Sequence, residues 1–273
     1  MPKRILLFVL FAVVLFGGCI FEQNVKLEKR SDGLYYRINE KTPYTGIYKV
    51  WYENGKLWQE IPYRDGKLYG VIREWHQNGK LKEKAFCKNG KKSGTWKSFY
   101  ENGRVKQSGV YQDGKLHEQL VTYSPKGKMI ARAWFKNGKK DGEHIRYQED
   151  GKYRINTKWN RGTKVLEVWW KRLSNEKKSD GSYSSYIKHG AEKSWYPDGR
   201  LANETNFEDG KKAGTLRQWY DTGQLKREVN YQGGKKHGLE KLFYIDGLLI
   251  MKIHWENGEK VKEENVQESS TAH

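Results

Sequence analysis

The side chains of this 273-residue chain that could do chemistry are two cysteines, seven histidines and a large excess of cations, 52 Lys+Arg against 33 Asp+Glu. His117, His189 and His237 stand at multiples of 24 residues from one another, too far apart in a repeat to share one metal at about 2.1 Å. His76, His144 and His254 have no cysteine or carboxylate partner at ligand spacing. Gly90-Lys-Lys-Ser93 superficially resembles a phosphate loop, but Ala85 stands where that motif needs its first glycine. No Gly-x-Ser-x-Gly motif and no Cys/His/Asn set is present. The expectation is a chain with no catalytic residue, no metal and no cofactor. A hydrolase is the least supported class. The lysines are the remaining candidates: Lys67, Lys91, Lys92, Lys115, Lys139, Lys140, Lys211, Lys212, Lys235 and Lys236 recur in register.

Cys19 is a different case. Lys3 and Arg4 precede an apolar run, Ile5–Phe16, which is too short to span a bilayer and long enough for a signal peptide. The run ends in Leu15-Phe16-Gly17-Gly18-Cys19, which resembles a bacterial lipobox. Residues 1–18 are expected to be a lipoprotein signal peptide and Cys19 the acylated first residue, held in the membrane by its acyl chains at about 0.8 kcal/mol per methylene. Only Cys87 is then left as a thiol, so no intramolecular disulfide is expected. The formal net charge falls from +19 to +17 on loss of Lys3 and Arg4. The absence of Asp after Cys19 points to the outer membrane of the cell envelope.

The element that must position the lysines is a repeat. Gly46, Gly70, Gly94, Gly142, Gly190, Gly214 and Gly238 lie on a 24-residue grid, with Glu118 and Leu166 at the two other grid points. Two further columns follow, one through Gly55, Gly79 and Gly103 and one through Gly66, Gly90 and Gly114, with Asn or Asp often preceding. Asn-Gly and Asp-Gly favour tight hairpin turns with positive φ at both central residues. Two turns per period leave two extended segments, such as Gly46–Tyr52 and Lys56–Tyr63. The expected fold is all-β: an elongated antiparallel meander of nine 24-residue hairpin repeats in one twisted sheet, with up to eighteen strands.

Composition agrees. Only 36% of residues are hydrophobic, too few for a thick aliphatic core, while 14% are aromatic, too many for a disordered chain. The aromatics fall in ladders, one through Trp51, Trp75 and Phe99, another through Tyr63, Tyr111, Phe135, Trp159, Phe207, Tyr231 and Trp255. Cys87 sits in the second ladder and reads as a small buried filler. The sixth repeat, Leu166–His189, lacks its turn glycines. Two readings stand: a decayed repeat with a looser loop, or a ligand loop marked by Trp169, Trp170, Tyr183 and Tyr186. Residues 19–33 read as a polar tether, 34–262 as the repeats with an N-terminal capping strand, and 263–273 as a disordered tail.

The text Gly-x-x-x-x-Trp-Tyr-x-Asn-Gly-Lys-Leu, followed by Tyr-x-x-Gly-Lys-x-x-Gly, is nearly whole at Gly46–Gly70 and recurs at Gly190–Gly238. It resembles the bacterial MORN-like repeat variant of the YwqK-type antitoxin family. That resemblance implies β-hairpin repeats and, for some members, neutralisation of a toxin. Two functions are therefore expected: a lipid-anchored, extracytoplasmic, non-enzymatic scaffold for a protein or anionic envelope partner, or an antitoxin that binds a cognate toxin. The period places the ten lysines along one edge of the sheet. Such a ridge suits acidic partners, and an exported protein rarely meets nucleic acid.

Overall fold

The computed structural model describes residues 25–148, 151–173 and 186–266. Cys19 and Tyr183 lie outside these residues. Among them every regular element is a strand. Twenty strands run from Gly46–Trp51 to Glu259–Asn265 in one antiparallel meander, and no ladder joins these two outer strands, so the sheet stays open. Two of the twenty, Lys67–Leu68 and Lys139–Lys140, are short arms of strands that resume at Gly70 and Gly142, which leaves eighteen full strand lengths. Contacts link each strand to its immediate neighbours, as a one-layer repeat requires.

The two turn columns differ. The second is the tight turn the sequence predicts: Asp65 and Gly66 have φ of 49° and 72°, Asn89 and Gly90 50° and 81°. The first is a three-residue loop. The Tyr52 N–H donates to the Lys56 carbonyl at 2.8 Å, only Gly55 takes positive φ, and Asn54 Oδ1 accepts from the Lys56 N–H at 3.1 Å. An Asn before Gly thus supplies left-handed backbone in one column and a side-chain acceptor in the other. The third glycine column forms bulges that break the ladders, for example between Ala85/Trp96 and Cys87/Lys92. Glu118 takes φ 62° in that column.

A two-stranded ladder caps the start of the sheet. Leu27–Lys29, within the segment read as a tether, pairs with Tyr35–Arg37. The Gly66 N–H donates to the Tyr44 carbonyl at 2.9 Å, and the buried Tyr63 packs against the rings of Tyr35 and Tyr44, with centres 4.9 and 5.9 Å away. A Cβ at Gly66 would lie 2.8 Å from that of Leu34, so the cap fits only a glycine. At the other end, Glu259–Asn265 carries strand structure into the segment read as a tail.

The main departure lies at the sixth repeat. Thr163–Arg172 pairs directly with Tyr186–Trp195, and both are first strands of their repeats. Among the described residues, no second strand intervenes. Every later repeat therefore runs in the opposite direction across the sheet. The register also slips by one residue between Trp159/Lys164 and Lys158/Leu166. A one-residue slip moves side chains to the other face. Thr157, from the row that meets His144, now faces Glu167, while Val168 meets Asn156 and then Glu192. Reversal and slip together turn the later repeats over about the long axis of the sheet. This is the one arrangement that keeps the handedness of the hairpins while reversing them. Repeats 1–5 and 7–9 thus form two arrays presenting equivalent rows on opposite faces and equivalent turns on opposite edges.

Burial follows the inversion, apart from Ile145, which is buried on the other face of the first array in the row that leads through Asn156 to Val168. Tyr63, Ala85, Cys87, His144 and Ile155 are buried on one face of the first array. Val168, Thr205, Leu216, Val229 and Glu240 are buried on the opposite face. Most members of the aromatic ladders are only half-buried, and the closest packing falls to these smaller residues between them.

Candidate interaction surface

Repeats are joined along the turns in two ways. At the first turns, a tyrosine reaches forward: Tyr52 Oη donates to the Trp75 carbonyl at 2.6 Å and Tyr100 Oη to that of Tyr123 at 2.7 Å. In the second array, Tyr196 and Tyr220 do the same to Trp219 and Phe243, at 2.7 and 2.9 Å. His76 Nε2 lies 3.0 Å from the Phe99 carbonyl in the same column. The cations here are engaged too: Lys80 Nζ donates to Asn102 O and Arg104 Nη1 to Pro125 O, both at 3.3 Å. This tyrosine column was readable in the sequence as the Tyr of Trp-Tyr-x-Asn-Gly, yet nothing in its spacing shows that the hydroxyl is the joint.

At the second turns, the glycine N–H makes the joint. Gly114 donates to Lys92 O and Gly138 to Leu116 O, each at 2.8 Å. The stem of each preceding lysine lies against that glycine: a Cβ at Gly114 would sit 3.7 Å from Lys91 Cβ, and one at Gly138 3.5 Å from Lys115 Cβ. The ammonium groups of Lys67, Lys91, Lys115 and Lys139 are exposed and make no ion pair, ring contact or side-chain hydrogen bond among the described residues.

The adjacent lysines behave otherwise, because successive residues of a strand point to opposite faces. Lys92 Nζ lies 5.5 Å from the Tyr111 ring centre and 2.6 Å from Glu83 Oε1. Lys140, Lys212 and Lys236 stand 4.5, 5.0 and 3.9 Å from the rings of Trp159, Tyr231 and Trp255. Each such cation–π contact is worth about 0.5–2 kcal/mol. Lys236 also pairs at 2.9 Å with Glu240, a carboxylate only 3% exposed that accepts from Arg227 and Trp255 at 2.6 Å each. Burial pushes the Glu240 carboxyl up, and Lys236 and Arg227 more than reverse it, leaving it below its ordinary value.

The predicted ridge of ten is therefore not one surface. Lys92, Lys140, Lys212 and Lys236 turn over the rings. The inversion puts Lys211 and Lys235 on the edge opposite Lys67, Lys91, Lys115 and Lys139. The reversal is visible in side chains as well: Lys164 lies 4.7 Å from the Trp195 ring, so a second turn of the first array meets a first turn of the second. On the other edge Lys171 pairs with Asp209 at 2.8 Å.

The predicted loop residues are also relocated. Trp169 and Trp170 lie within Thr163–Arg172, and Tyr186 opens Tyr186–Trp195, opposite Arg172. These three belong to strands because the strand that would have separated them is skipped. Cys87 is buried between Gly70 and Lys92, and burial raises its thiol pKa, which suits a filler. His144 is buried between Phe135 and Trp159, with ring centres 5.7 and 5.8 Å away. Burial pushes its imidazole down, Lys140 adds to this, and a 2.9 Å contact with the Trp134 carbonyl opposes it.

No curated protein matches the chain. Among solved structures it is similar to the TcdB2–TccC3–Cdc42 complex, at 11% identity and TM-score 0.20 over 83% of this chain. It is also similar to TcdB2–TccC3, at 12% identity and TM-score 0.18 over 80%. The chain spans 14% and 17% of those two chains, and likenesses this distant carry nothing about its role. Residues 44–65, 68–89, 92–113, 188–209 and 212–232 match the MORN repeat variant. The unmatched stretch between them holds Glu118, the residues Ser124 and Gln148 where a tyrosine joint belongs, and the inversion. The repeats on both sides of the inversion, three before it and two after, thus match one family model, the MORN repeat variant.

Proposed function

We propose that this chain is a non-enzymatic scaffold that holds a macromolecular partner along its repeats, tethered to the outer membrane of a bacterial envelope by lipid on Cys19. MORN repeats support a repeat-based binding role. The observation that carries the reading is the row Lys67, Lys91, Lys115 and Lys139. These cations recur at one position of successive repeats and are left free among the described residues, while Lys92 and Lys140, next to two of them, are taken up by ring contacts. A protein or anionic envelope component meets such a row by charge.

A photoreactive residue in place of Asn89, an exposed turn position beside Lys91, tests this in intact envelopes. A discrete crosslinked product that excess unlabelled protein competes away is expected. Absence of any competed product overturns the scaffold reading. For the anchor, Cys19→Ala abolishes acyl labelling and releases the protein from the membrane fraction; retained labelling refutes it.

A further inference from the structure

The two arrays differ in how they spend charge along one edge. The second turns of repeats 1–5, Arg64–Lys67, Lys88–Lys91, Gln112–Lys115, Lys136–Lys139 and Asn160–Thr163, carry +1, +2, 0, +2 and +1. The same edge continues through the first turns of the second array, residues 196–200, 220–224 and 244–248, which carry 0, −1 and −1. Positive charge stops where the array inverts.

The first stretch keeps this charge at a cost. Arg64 stands directly opposite Lys67, Lys88 opposite Lys91 and Lys136 opposite Lys139. Like charges in such cross-strand pairs destabilise a sheet. In the second array the equivalent position pairs Glu208 with Lys211. Opposite charge is therefore available to this repeat and is absent where the row is densest. None of these five turns holds an aromatic or aliphatic side chain. Leu34, Pro43 and Tyr69 line a hollow beside Lys67, but the Tyr69 ring is half-buried between the Arg64 guanidinium, 3.7 Å from its centre, and the Phe86 ring at 6.3 Å, so it is already stacked rather than open to a base or sugar. What the row offers is single-file ammonium groups, two strands or about 9.6 Å apart, suited as point charges to phosphate.

We infer that the second-turn edge of repeats 1–5 binds a linear polymer with a phosphate backbone, lying across the strands. This names the partner class of the scaffold surface and rests on that reading. One polymer spans the row from Lys67 to Lys139, and the acidic turns beyond the inversion mark where it ends.

The test is binding of long-chain linear polyphosphate to the full chain at several salt concentrations. The quadruple variant Lys67→Gln, Lys91→Gln, Lys115→Gln, Lys139→Gln is expected to bind at least ~10-fold more weakly. Its dependence of log affinity on log salt is flatter by about 3, at ~0.7 per phosphate for a single-stranded polyanion. The Lys211→Gln, Lys235→Gln variant, on the opposite edge, stays within about twofold, and four Lys→Arg changes in the first row retain binding because they retain charge. Equal losses in the two glutamine variants, or no loss in the first, overturn the inference. So does tighter binding to phosphatidylglycerol vesicles than to polyphosphate, which assigns the edge to a membrane. Failure here with the competed crosslink at Asn89 intact removes the polymer and leaves the scaffold. Loss of the crosslink with polyphosphate binding intact removes the macromolecular scaffold and leaves an anion-binding edge.

Discussion

The arrays before and after the sixth repeat are built from the same text and face opposite ways. Their internal joints are alike: Tyr100 and Tyr220 each donate to the carbonyl 23 residues on. Their turns are alike too, with Asn89-Gly90 and Asp209-Gly210 both left-handed at both residues. They differ in what fills equivalent positions. His144 and Glu240 occupy the same place in the repeat, one packed between rings and one held by two cations. The lesson is that a repeat fixes backbone and joints while leaving rows of side chains free to diverge, so a surface must be located in space before its charges are counted.

The inversion gives the largest expected effect. Arg161 and Pro197 line one hollow, whereas Asp209 lies on the opposite edge, a strand length of roughly 26 Å away at ~3.3 Å per residue. In an Arg161→Cys, Pro197→Cys protein a short bifunctional thiol reagent should close in full, and in Arg161→Cys, Asp209→Cys not at all, as read by mass spectrometry. Failure of the first pair to close would mean the arrays run in one direction, because second and first turns would then lie on opposite edges.

Next come the two kinds of lysine. Lys236→Met leaves the buried Glu240 with one cation fewer and should cost about 3 kcal/mol in urea denaturation. Its neighbour Lys235→Met, which faces solvent, should cost less than ~0.5 kcal/mol. Equal costs would erase the distinction between ring-facing and outward lysines.

The tyrosine joints are smaller. Tyr100→Phe and Tyr220→Phe should each cost about 1 kcal/mol. Lying in separate arrays, they should add in the double variant to within about 0.5 kcal/mol. Strong non-additivity would show that the two joints are energetically coupled across the inversion.

The pH response is the finest comparison. The His144 pKa is lowered from 6.5, so the unfolded chain takes up the proton first. Its contribution is complete above about 6.5, declines as pH falls below that value and levels off below the folded pKa. Glu240 is lowered from 4.5, so its contribution is present above about 4.5 and is lost as pH falls through the folded value. Melting scans should show the first decline vanish in His144→Leu and persist in Glu240→Gln. The reverse result would break the assignment.

Much of this was legible in the sequence. The 24-residue grid gives the strands, the turn positions and the neighbour-only packing, because Gly and Asn-Gly constrain backbone wherever they stand. The filler role of Cys87 follows from its column. What could not be read depends on the count of strands and on their register. Lys91 and Lys92 look interchangeable in a list of turn lysines, and only the pleat separates outward from ring-facing. Lys211 and Lys91 share a column, yet one skipped strand sends them to opposite edges. The first Asn-Gly column resembles the second until the Tyr52–Lys56 bond sets a longer loop.

That skipped strand also has an arithmetic consequence. In a meander, two turns share an edge when an even number of strands separates them and lie on opposite edges when the number is odd. Strand count therefore acts as an address, and a single strand gained or lost re-addresses every turn downstream without altering one residue in it. A chain of this kind can redistribute its surface by parity alone, leaving the joints, the bulges and the repeat text as they were.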